Sequence, residues 1–256
     1  MGNGGSTGGG GAKAAPPKSS APVFICDDTA SEMYTTKFDE GGIPKLLYCD
    51  EFDVFDTHNL SQKKTIMLGR EKPCDVLVTN SEVSKKHLTI SFDDGKFVVS
   101  TMSQFGTGLF NEEATTVVAE NDAVPISGSG LMKLGRSIVG FNSKKLEHLL
   151  IEVIDGDAKG RKWATGPKAK SFYVGRSEEC PVKMPTAGSS ISGKHLEFQK
   201  HIDGGWTVMD NSTFGTLVCG DWPLRKGKKC LVVPGMTLEI GKEHQMQKLI
   251  IKTLDD

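Results

Sequence analysis

The sequence has almost no net charge, few aromatic residues and no long apolar run. Its formal net charge is −1 and its aromatic content is 7%. A protein held to nucleic acid or to an anionic membrane by charge alone needs an excess of positive charge, so nucleic acid is not an expected partner. No apolar run approaches the ~18 residues that span a bilayer as a helix. These absences argue against an integral membrane protein and a charge-driven nucleic-acid binder.

Cysteine is also sparse, with six residues in 256 and no C-x-x-C pair. Closely spaced cysteines are the usual sequence sign of a metal site or a redox pair. Wide spacing without a preceding signal peptide favours reduced thiols in the cytoplasm, where cysteines act as small apolar residues. We therefore predict no metal ligand, no cofactor and no disulfide. The six residues are Cys26, Cys49, Cys74, Cys180, Cys219 and Cys230.

Glycine, by contrast, is concentrated at the N-terminus. It occupies seven of the first eleven positions, and the pair Pro16-Pro17 follows. A segment with so few apolar side chains cannot offset the entropy lost when it becomes ordered. Residues 1–42 are therefore predicted to form a flexible leader.

The first six residues carry a second signal. They fit the pattern M-G-x-x-x-[ST], in which N-myristoyltransferase modifies Gly2 after the methionine is removed. A glycine-rich leader also has an appreciable chance of matching so short a pattern, so both outcomes stay open. One myristoyl chain binds membrane only marginally, with an association constant on the order of 10⁴ M⁻¹. The expected location is cytoplasmic, with peripheral attachment to the cytosolic face of a membrane if Gly2 is modified.

The rest of the chain contains the same ordered motifs twice. A Gly-Arg pair, a Ser-x-x-His loop, a Phe-Gly-Thr turn and a closing glycine occur once and then again about 106 to 109 residues later. A unit of this length is a small domain with its own core. We predict a first domain at residues 43–142 and a second at 146–256, joined by a short linker.

Short apolar runs separated by turn residues fill both units. Aspartate and glycine at 93–95 and 203–205 lie between two such runs, as in hairpin turns. Short strands at regular spacing are typical of antiparallel sandwiches. The predicted fold class is all-β, with two tandem antiparallel β-sandwich domains after the disordered leader. The runs are residues 45–49, 65–68, 76–79, 87–92, 97–100, 149–154, 196–199, 206–209, 236–240 and 249–252.

Two loops in each unit carry side chains that hold phosphate. Arg70 and Arg176 follow a glycine at the end of an apolar run, which places a planar bidentate donor at a loop tip. Ser84 and Ser192 lie three residues before a histidine that begins a strand. Several donors must converge, because one exposed ion pair contributes only ~0–1 kcal/mol. None of these residues is placed as a nucleophile with its base, so no catalytic residue is predicted.

Both units resemble forkhead-associated (FHA) domains, which are phosphothreonine-binding β-sandwiches. The matching motifs are Leu68-Gly69-Arg70, Val83 to Leu88 and Phe105-Gly106-Thr107, then Val174-Gly175-Arg176, Ile191 to Leu196 and Asp210 to Thr216. The resemblance implies that loop residues bind a phosphopeptide and that two histidines and two glycines are structural. The implied binding residues are Arg70, Ser84, Lys85, Gln104, Arg176, Ser192, Lys194 and Thr213, and the implied structural residues are His87, His195, Gly106 and Gly215.

The two units depart from the family pattern in different ways. Thr213 matches the second hydroxyl that contacts phosphate, whereas the first unit has Gln104, an amide with a longer reach. In both units the asparagine that usually precedes Gly-Thr and binds the peptide main chain is replaced, by Phe105 and Phe214. Losing that contact is expected to weaken binding by ~1–2 kcal/mol, about tenfold. The second unit, which has Thr213, is the better candidate for binding.

The resemblance implies a non-enzymatic adaptor with two modules that bind phosphothreonine-containing proteins. An alternative stays open, a structural or assembly protein that uses the same fold for phosphate-independent protein contacts. Residues 111–118 and 220–229 are expected to be variable loops that select the ligand sequence. The sequence does not indicate the oligomeric state.

Overall fold

The structure is a computed structural model that describes most of the chain. The described residues are 1, 23–25, 46–49, 54–56, 65–93, 96–111, 114–126, 129–142, 146–185, 190–200 and 205–253. Within them the regular structure is twenty-three strands in four sheets, with one 3-10 turn at Glu243–Gln245. The prediction of an all-β chain built from antiparallel sandwiches is confirmed. Most of the predicted leader, including Gly2, and residues 94–95 and 203–204 of the predicted hairpin turns lie outside the described residues.

The first domain is a sandwich of two sheets. The described strands of this domain pair antiparallel, except that Thr65–Gly69 and Val76–Leu77 pair in parallel. Strands are numbered along the chain. The five-stranded sheet contains β4 (Thr65–Gly69), β5 (Val76–Leu77), β6 (Leu88–Asp93), β7 (Lys96–Thr101) and β10 (Ala123–Ile126), in the order β10-β7-β6-β4-β5. The six-stranded sheet contains β2 (Leu46–Cys49), β3 (Val54–Asp56), β8 (Thr107–Asn111), β9 (Ala114–Val118), β11 (Ser129–Leu134) and β12 (Ser137–Asn142), in the order β3-β2-β12-β11-β8-β9.

The second domain repeats this arrangement. Its five-stranded sheet contains β15 (Ser171–Gly175), β16 (Val182–Lys183), β17 (Leu196–Lys200), β18 (Trp206–Asp210) and β21 (Lys229–Leu231), in the order β16-β15-β17-β18-β21. Its seven-stranded sheet contains β13 (Leu150–Asp155), β14 (Lys162–Thr165), β19 (Thr216–Val218), β20 (Trp222–Pro223), β22 (Thr237–Ile240) and β23 (Gln247–Lys252), together with β1 (Val23–Ile25). The order is β1-β14-β13-β23-β22-β19-β20.

The two domains match strand for strand. When β1 is set aside, both sandwiches contain eleven strands in the same spatial order, with one parallel pair at the same place (β4–β5 and β15–β16). Matching strands also bury the same positions: Thr65–Gly69 and Ser171–Gly175 both have an exposed first residue, a half-buried third residue and three buried residues. The duplication read from the motifs therefore extends to the whole sandwich.

One strand comes from the predicted leader. Val23–Ile25 pairs in parallel with Trp163–Thr165 at the edge of the seven-stranded sheet, so that part of the leader is ordered against the second domain. The predicted domain limits placed these residues outside both domains.

The six-stranded sheet is buried on both faces. Along β11, Met132 and Leu134 pack in the core of the first domain, whereas Leu131 packs with residues of the second domain. Along β12, Val139 belongs to the first core and Ile138 to the second cluster. Successive side chains of a strand point to opposite faces. The sheet therefore separates its own core from an apolar contact with the second domain.

Two glycines make that contact close. A Cβ on Gly140 would overlap the Cβ of Leu231, so the missing side chain lets β21 approach β12. A Cβ on Gly108 would lie 3.0 Å from Cζ2 of Trp222, whose side chain is 3% exposed. Strands β20 and β21 of the second domain thus pack on the outer face of the six-stranded sheet.

Candidate functional site

In each domain the Gly-Arg loop lies directly against the Ser-x-x-His loop. In the second domain the backbone N–H of Arg176 donates to the Ser192 carbonyl (3.2 Å), and the N–H of Ser177 donates to the Gly193 carbonyl (3.0 Å). A Cβ on Gly175 would overlap the Gly193 carbonyl oxygen. Glycine is required before the arginine because the two backbones approach closely there.

The first domain has the same contact. The N–H of Arg70 donates to the Ser84 carbonyl (3.0 Å), and the N–H of Glu71 donates to the Lys85 carbonyl (3.3 Å). A Cβ on Gly69 would overlap the Lys85 carbonyl oxygen. The backbone of each arginine thus lies next to the backbone of the serine with which it was predicted to bind one ligand.

A cysteine thiol joins these loops in both domains, and reasoning from the sequence missed it. Sγ of Cys74 donates to the Lys85 carbonyl (3.2 Å), and Sγ of Cys180 donates to the Gly193 carbonyl (3.1 Å). Both thiols are buried, and burial is the main cause that raises their pKa, so they remain protonated donors at neutral pH. The sequence contained one sign of this shared role: in both domains the cysteine lies four residues after the arginine.

The two motif histidines connect loops. In the second domain Nδ1 of His195 accepts from the N–H of Ser192 (3.0 Å), and Nε2 lies 3.3 Å from the Gly215 carbonyl. An Nδ1 that accepts from an amide carries no proton, so the proton is on Nε2 and is donated to the carbonyl. Burial lowers the pKa of His195, against smaller raising effects of Asp210 and of the Gly215 carbonyl. The ring is therefore neutral.

His87 makes the same connection in the first domain. Its Nδ1 accepts from the N–H of Ser84 (3.1 Å), its Nε2 lies 3.3 Å from the Gly106 carbonyl, and burial lowers its pKa. Gly106 and Gly215 have φ of 70° and 94°, a backbone region that favours glycine. The histidines and glycines to which the family resemblance assigned a structural role thus lie where the binding loops meet.

The second domain brings Ser192 and Thr213 together. The Thr213 N–H donates to Ser192 Oγ (3.0 Å), and the two hydroxyl oxygens are 3.4 Å apart. Thr213 is exposed, and Ser192 is half-buried. Arg176 is also exposed, and its guanidinium forms no hydrogen bond or ion pair with the part of the chain that the structure describes. Its side chain would not have to break a contact with the described residues in order to bind a ligand.

The first domain arranges its loops differently. Ser84 Oγ donates to Ser103 Oγ (3.1 Å), while Gln104 is exposed and does not contact Ser84. Nε of Arg70 donates to the Val83 carbonyl (3.0 Å), which ties part of the guanidinium to its own domain. Ser103 was missed by the sequence reasoning, although it matches Ser212 at the same place before the Phe-Gly-Thr turn.

The two motif lysines are paired with carboxylates. Lys85 lies 3.2 Å from Glu71, and Lys194 lies 2.9 Å from Glu179 and also over the ring of Tyr173 at 4.9 Å. The ion pair with Glu179 is the main cause that raises the pKa of Lys194. Both lysines would have to exchange an acidic partner for phosphate, so they are weaker candidate ligands than Arg176.

Other kinds of site are absent from the described ranges. No group of three or more His, Cys, Asp or Glu side chains is placed to hold a metal there. No helix found in those ranges has the length and apolar character needed to cross a bilayer. The cysteines described, Cys74, Cys180, Cys219 and Cys230, are free thiols.

Solved structures that resemble part of this chain include several FHA domains. An FHA domain of an Arabidopsis thaliana hypothetical protein is 22% identical, with 42% of this chain and 86% of that chain covered and a TM-score of 0.37. The N-terminal FHA domain of S. cerevisiae Rad53p, solved with a phosphothreonine peptide, is 26% identical, with 34% and 69% covered and a TM-score of 0.32. The FHA domain of the Chlamydia trachomatis CT664 protein is 17% identical, with 41% and 96% covered and a TM-score of 0.33.

No curated protein matches the chain significantly. The sequence profile of the FHA domain, however, matches residues 66–123 and 172–241, which together make up half of the chain. These two segments contain the Gly-Arg, Ser-x-x-His and Phe-Gly-Thr motifs of each sandwich. The chain therefore belongs to the FHA domain family and carries two FHA domains in tandem.

Proposed function

We propose that this protein is a non-enzymatic adaptor that binds phosphothreonine-containing proteins, mainly through its second domain. The observation that carries the proposal is the meeting of Ser192 and Thr213 next to the loop of an exposed, unpaired Arg176. Two hydroxyls and a guanidinium, from three loops, can donate to one dianionic phosphate. Charge-assisted hydrogen bonds of this kind are about twice as strong as neutral ones.

The loop contacts support the same proposal because they hold the donors in place without a ligand. The Ser192 N–H donates to His195, and the Ser192 carbonyl accepts from Arg176. The loop is therefore ordered before binding, which lowers the entropy that binding must overcome. Phosphothreonine as the ligand follows from the family, whose domains are phosphopeptide-binding modules.

The first domain supports the alternative function more than the second does. Nε of Arg70 is tied to the Val83 carbonyl, whereas Arg176 has no such contact with the described residues, and Gln104 replaces the second hydroxyl. A phosphate would have to compete with the contact that holds Arg70. Phosphate-independent protein binding is therefore the second candidate function, and it applies to the first domain.

Isothermal titration of the full chain with a phosphothreonine peptide library and its unphosphorylated counterpart tests the proposal. We expect binding only to phosphorylated peptides, and a loss of about 10- to 100-fold in Arg176→Ala and in Ser192→Ala, since each loses a hydrogen bond to a charged group. Arg161→Ala is the charge-matched control, because Arg161 is exposed and far from both motif loops in sequence. Equal affinity for both peptide forms would overturn the proposal.

The sequence of the N-terminal leader bears on where the protein is located in the cell. We propose that Gly2 is N-myristoylated and that the protein is cytoplasmic with weak attachment to a membrane, on the strength of the M-G-x-x-x-[ST] pattern. A single acyl chain is insufficient for stable anchoring, so a phosphorylated membrane partner would supply the second contact. Intact-mass measurement on protein from its native source tests this, and an unmodified Gly2 would exclude it.

A further inference from the structure

Exposed apolar side chains are confined to the neighbourhood of the two candidate sites. Apart from Met1, the large apolar residues exposed in the described ranges belong to two segments, 102–117 and 214–217. Phe105 is 76% exposed and Phe214 is 50% exposed, and they occupy the same position in the two domains. An exposed phenyl ring beside a binding loop offers apolar surface to a bound ligand.

Both rings adjoin the groups proposed to hold phosphate. The N–H of Phe105 donates to Ser103 Oγ (3.3 Å), which itself accepts from Ser84 Oγ. Phe214 directly follows Thr213, whose N–H donates to Ser192 Oγ. A phosphothreonine that contacts these hydroxyls would therefore lie within two residues along the chain from the position that carries the ring.

Two further exposed apolar residues lie close to the turn that carries Phe105. Val117 is 75% exposed, and its Cγ1 lies 3.2 Å from where a Cβ of Gly106 would be, which puts it beside the Phe-Gly-Thr turn. Met102 is exposed in the same loop. Arg136, which follows Gly135 in the turn between β11 and β12, is paired with Glu82 at 2.7 Å. Among the described residues, no cation lies over the ring of Phe105 as Lys242 lies over the ring of Phe214.

The second ring carries a cation. Nζ of Lys242 lies 4.5 Å from the centroid of the Phe214 ring. Lys242 follows Gly241 as Arg136 follows Gly135, so the two cations occupy matching positions. Unlike Arg136, Lys242 contacts no carboxylate in the described part of the chain. It can therefore pair with an acidic residue of a ligand that lies over the ring.

We propose that the two domains select different residues next to phosphothreonine: Phe105 selects an apolar side chain, and Phe214 with Lys242 selects an acidic one. The inference rests on the proposed function, since the phosphate contact positions the neighbouring residue. A side chain that covers an exposed phenyl ring gains apolar burial, whereas a carboxylate at Lys242 gains an ion pair beside a ring that partly excludes water.

The test uses full-length protein in which one site is disabled. Ser192→Ala disables the second site, so that binding by the first domain is measured, and Ser84→Ala disables the first site, so that binding by the second is measured. Phosphothreonine peptides that differ at one flanking position, with Leu, Asp or Ala, are titrated into each. We expect the first domain to prefer Leu and the second to prefer Asp, each by about tenfold over Ala. Phe105→Ala should remove the preference for Leu, and Lys242→Gln the preference for Asp, with the affinity for the Ala peptides unchanged.

Arg136→Gln is the matched control for Lys242→Gln, and it should leave both preferences intact because Arg136 is already paired. The rings and Lys242 are exposed, so unfolding midpoints should not change. If phosphorylation is required but flanking residues make no difference, or if Phe105→Ala weakens all peptides equally, this inference is wrong and the proposed function stands. If the Ser192→Ala protein binds no phosphopeptide, the first domain is not a phosphothreonine site and the assignment to Phe105 is wrong. If phosphorylation makes no difference in the parent protein, the proposed function itself fails.

Discussion

A single glycine sets the distance between the arginine and the serine of each site. Gly175→Ala would push a Cβ into the Gly193 carbonyl, and we expect a loss of ~1–3 kcal/mol in the free energy of unfolding, as in other overpacked positions. Phosphopeptide affinity should fall with it, because Arg176 and Ser192 would separate. Urea denaturation and peptide titration measure the two effects.

Gly193→Ala is the control in the same loop. A Cβ there would meet only Cβ of Ser177 at 3.9 Å, which is ordinary contact. We expect stability to change by less than ~0.5 kcal/mol, as for most substitutions that create no clash. A similar large loss in both variants would mean that the loop needs glycine for flexibility rather than for close approach.

The sequence showed some site residues and hid others for a physical reason. Ser192 and Thr213 belong to short local motifs that match the family pattern, so the resemblance was sufficient to predict that they lie in one site. Cys180 and Ser103 act only through a partner on another loop, 13 residues away for the thiol and 19 for Ser103. Such contacts depend on how the loops pack, which a local motif does not specify.

In each domain a histidine connects the Ser-x-x-His loop to the Phe-Gly-Thr turn, and this connection makes stability depend on pH. His87 and His195 each join two loops while neutral, and burial holds their pKa below the ordinary value near 6.5. Between the folded and the unfolded pKa the unfolded chain binds a proton that the folded chain does not. Their contribution to stability is therefore complete above about pH 6.5 and is lost as the pH falls below it.

We expect the urea midpoint to fall between pH 7.5 and pH 5.5, and the slope of that fall to be smaller in His87→Asn/His195→Asn, which lacks both titrating rings. The double variant should be less stable than the parent at pH 7.5, since four loop contacts are weakened. Unchanged pH dependence in the double variant would assign the effect to other groups.

Strands were predicted well where apolar residues alternate and poorly where they do not. Residues 65–68, 196–199 and 206–209 became Thr65–Gly69, Leu196–Lys200 and Trp206–Asp210. Ala114–Val118 was predicted as part of a variable loop and forms an edge strand, four of whose five residues are exposed. An edge strand with one buried residue has no alternation that a sequence reading can detect.

Across the whole molecule, the contact between domains depends on two such hidden strands. Trp222 and Leu231 lie in or next to a segment predicted as a loop, and they face Gly108 and Gly140 of the other domain. Trp222→Ala removes a buried indole and is expected to cost ~3–5 kcal/mol. The parent should unfold in one calorimetric transition, and the variant should show two because the domains no longer share apolar contact.

Leu217→Ala is the control, since Leu217 is an apolar residue of the same domain that is 37% exposed. It should keep the single transition. Two separate transitions in the parent protein would show that the domains already unfold independently and that the contact adds little stability.

The same contact bears on whether copies of the chain can associate with one another. It joins the face of one domain to the edge of the next, and such a head-to-tail contact can in principle repeat without end. The second domain offers no matching face: where the first has Leu131, Ile138 and Gly140, the second has Thr237, Lys248 and Ile250, and Lys248 is paired with Glu239 at 2.9 Å. This face lacks the glycine and the two apolar side chains that receive β20 and β21 in the first domain, so we expect that copies of the chain do not polymerise through it.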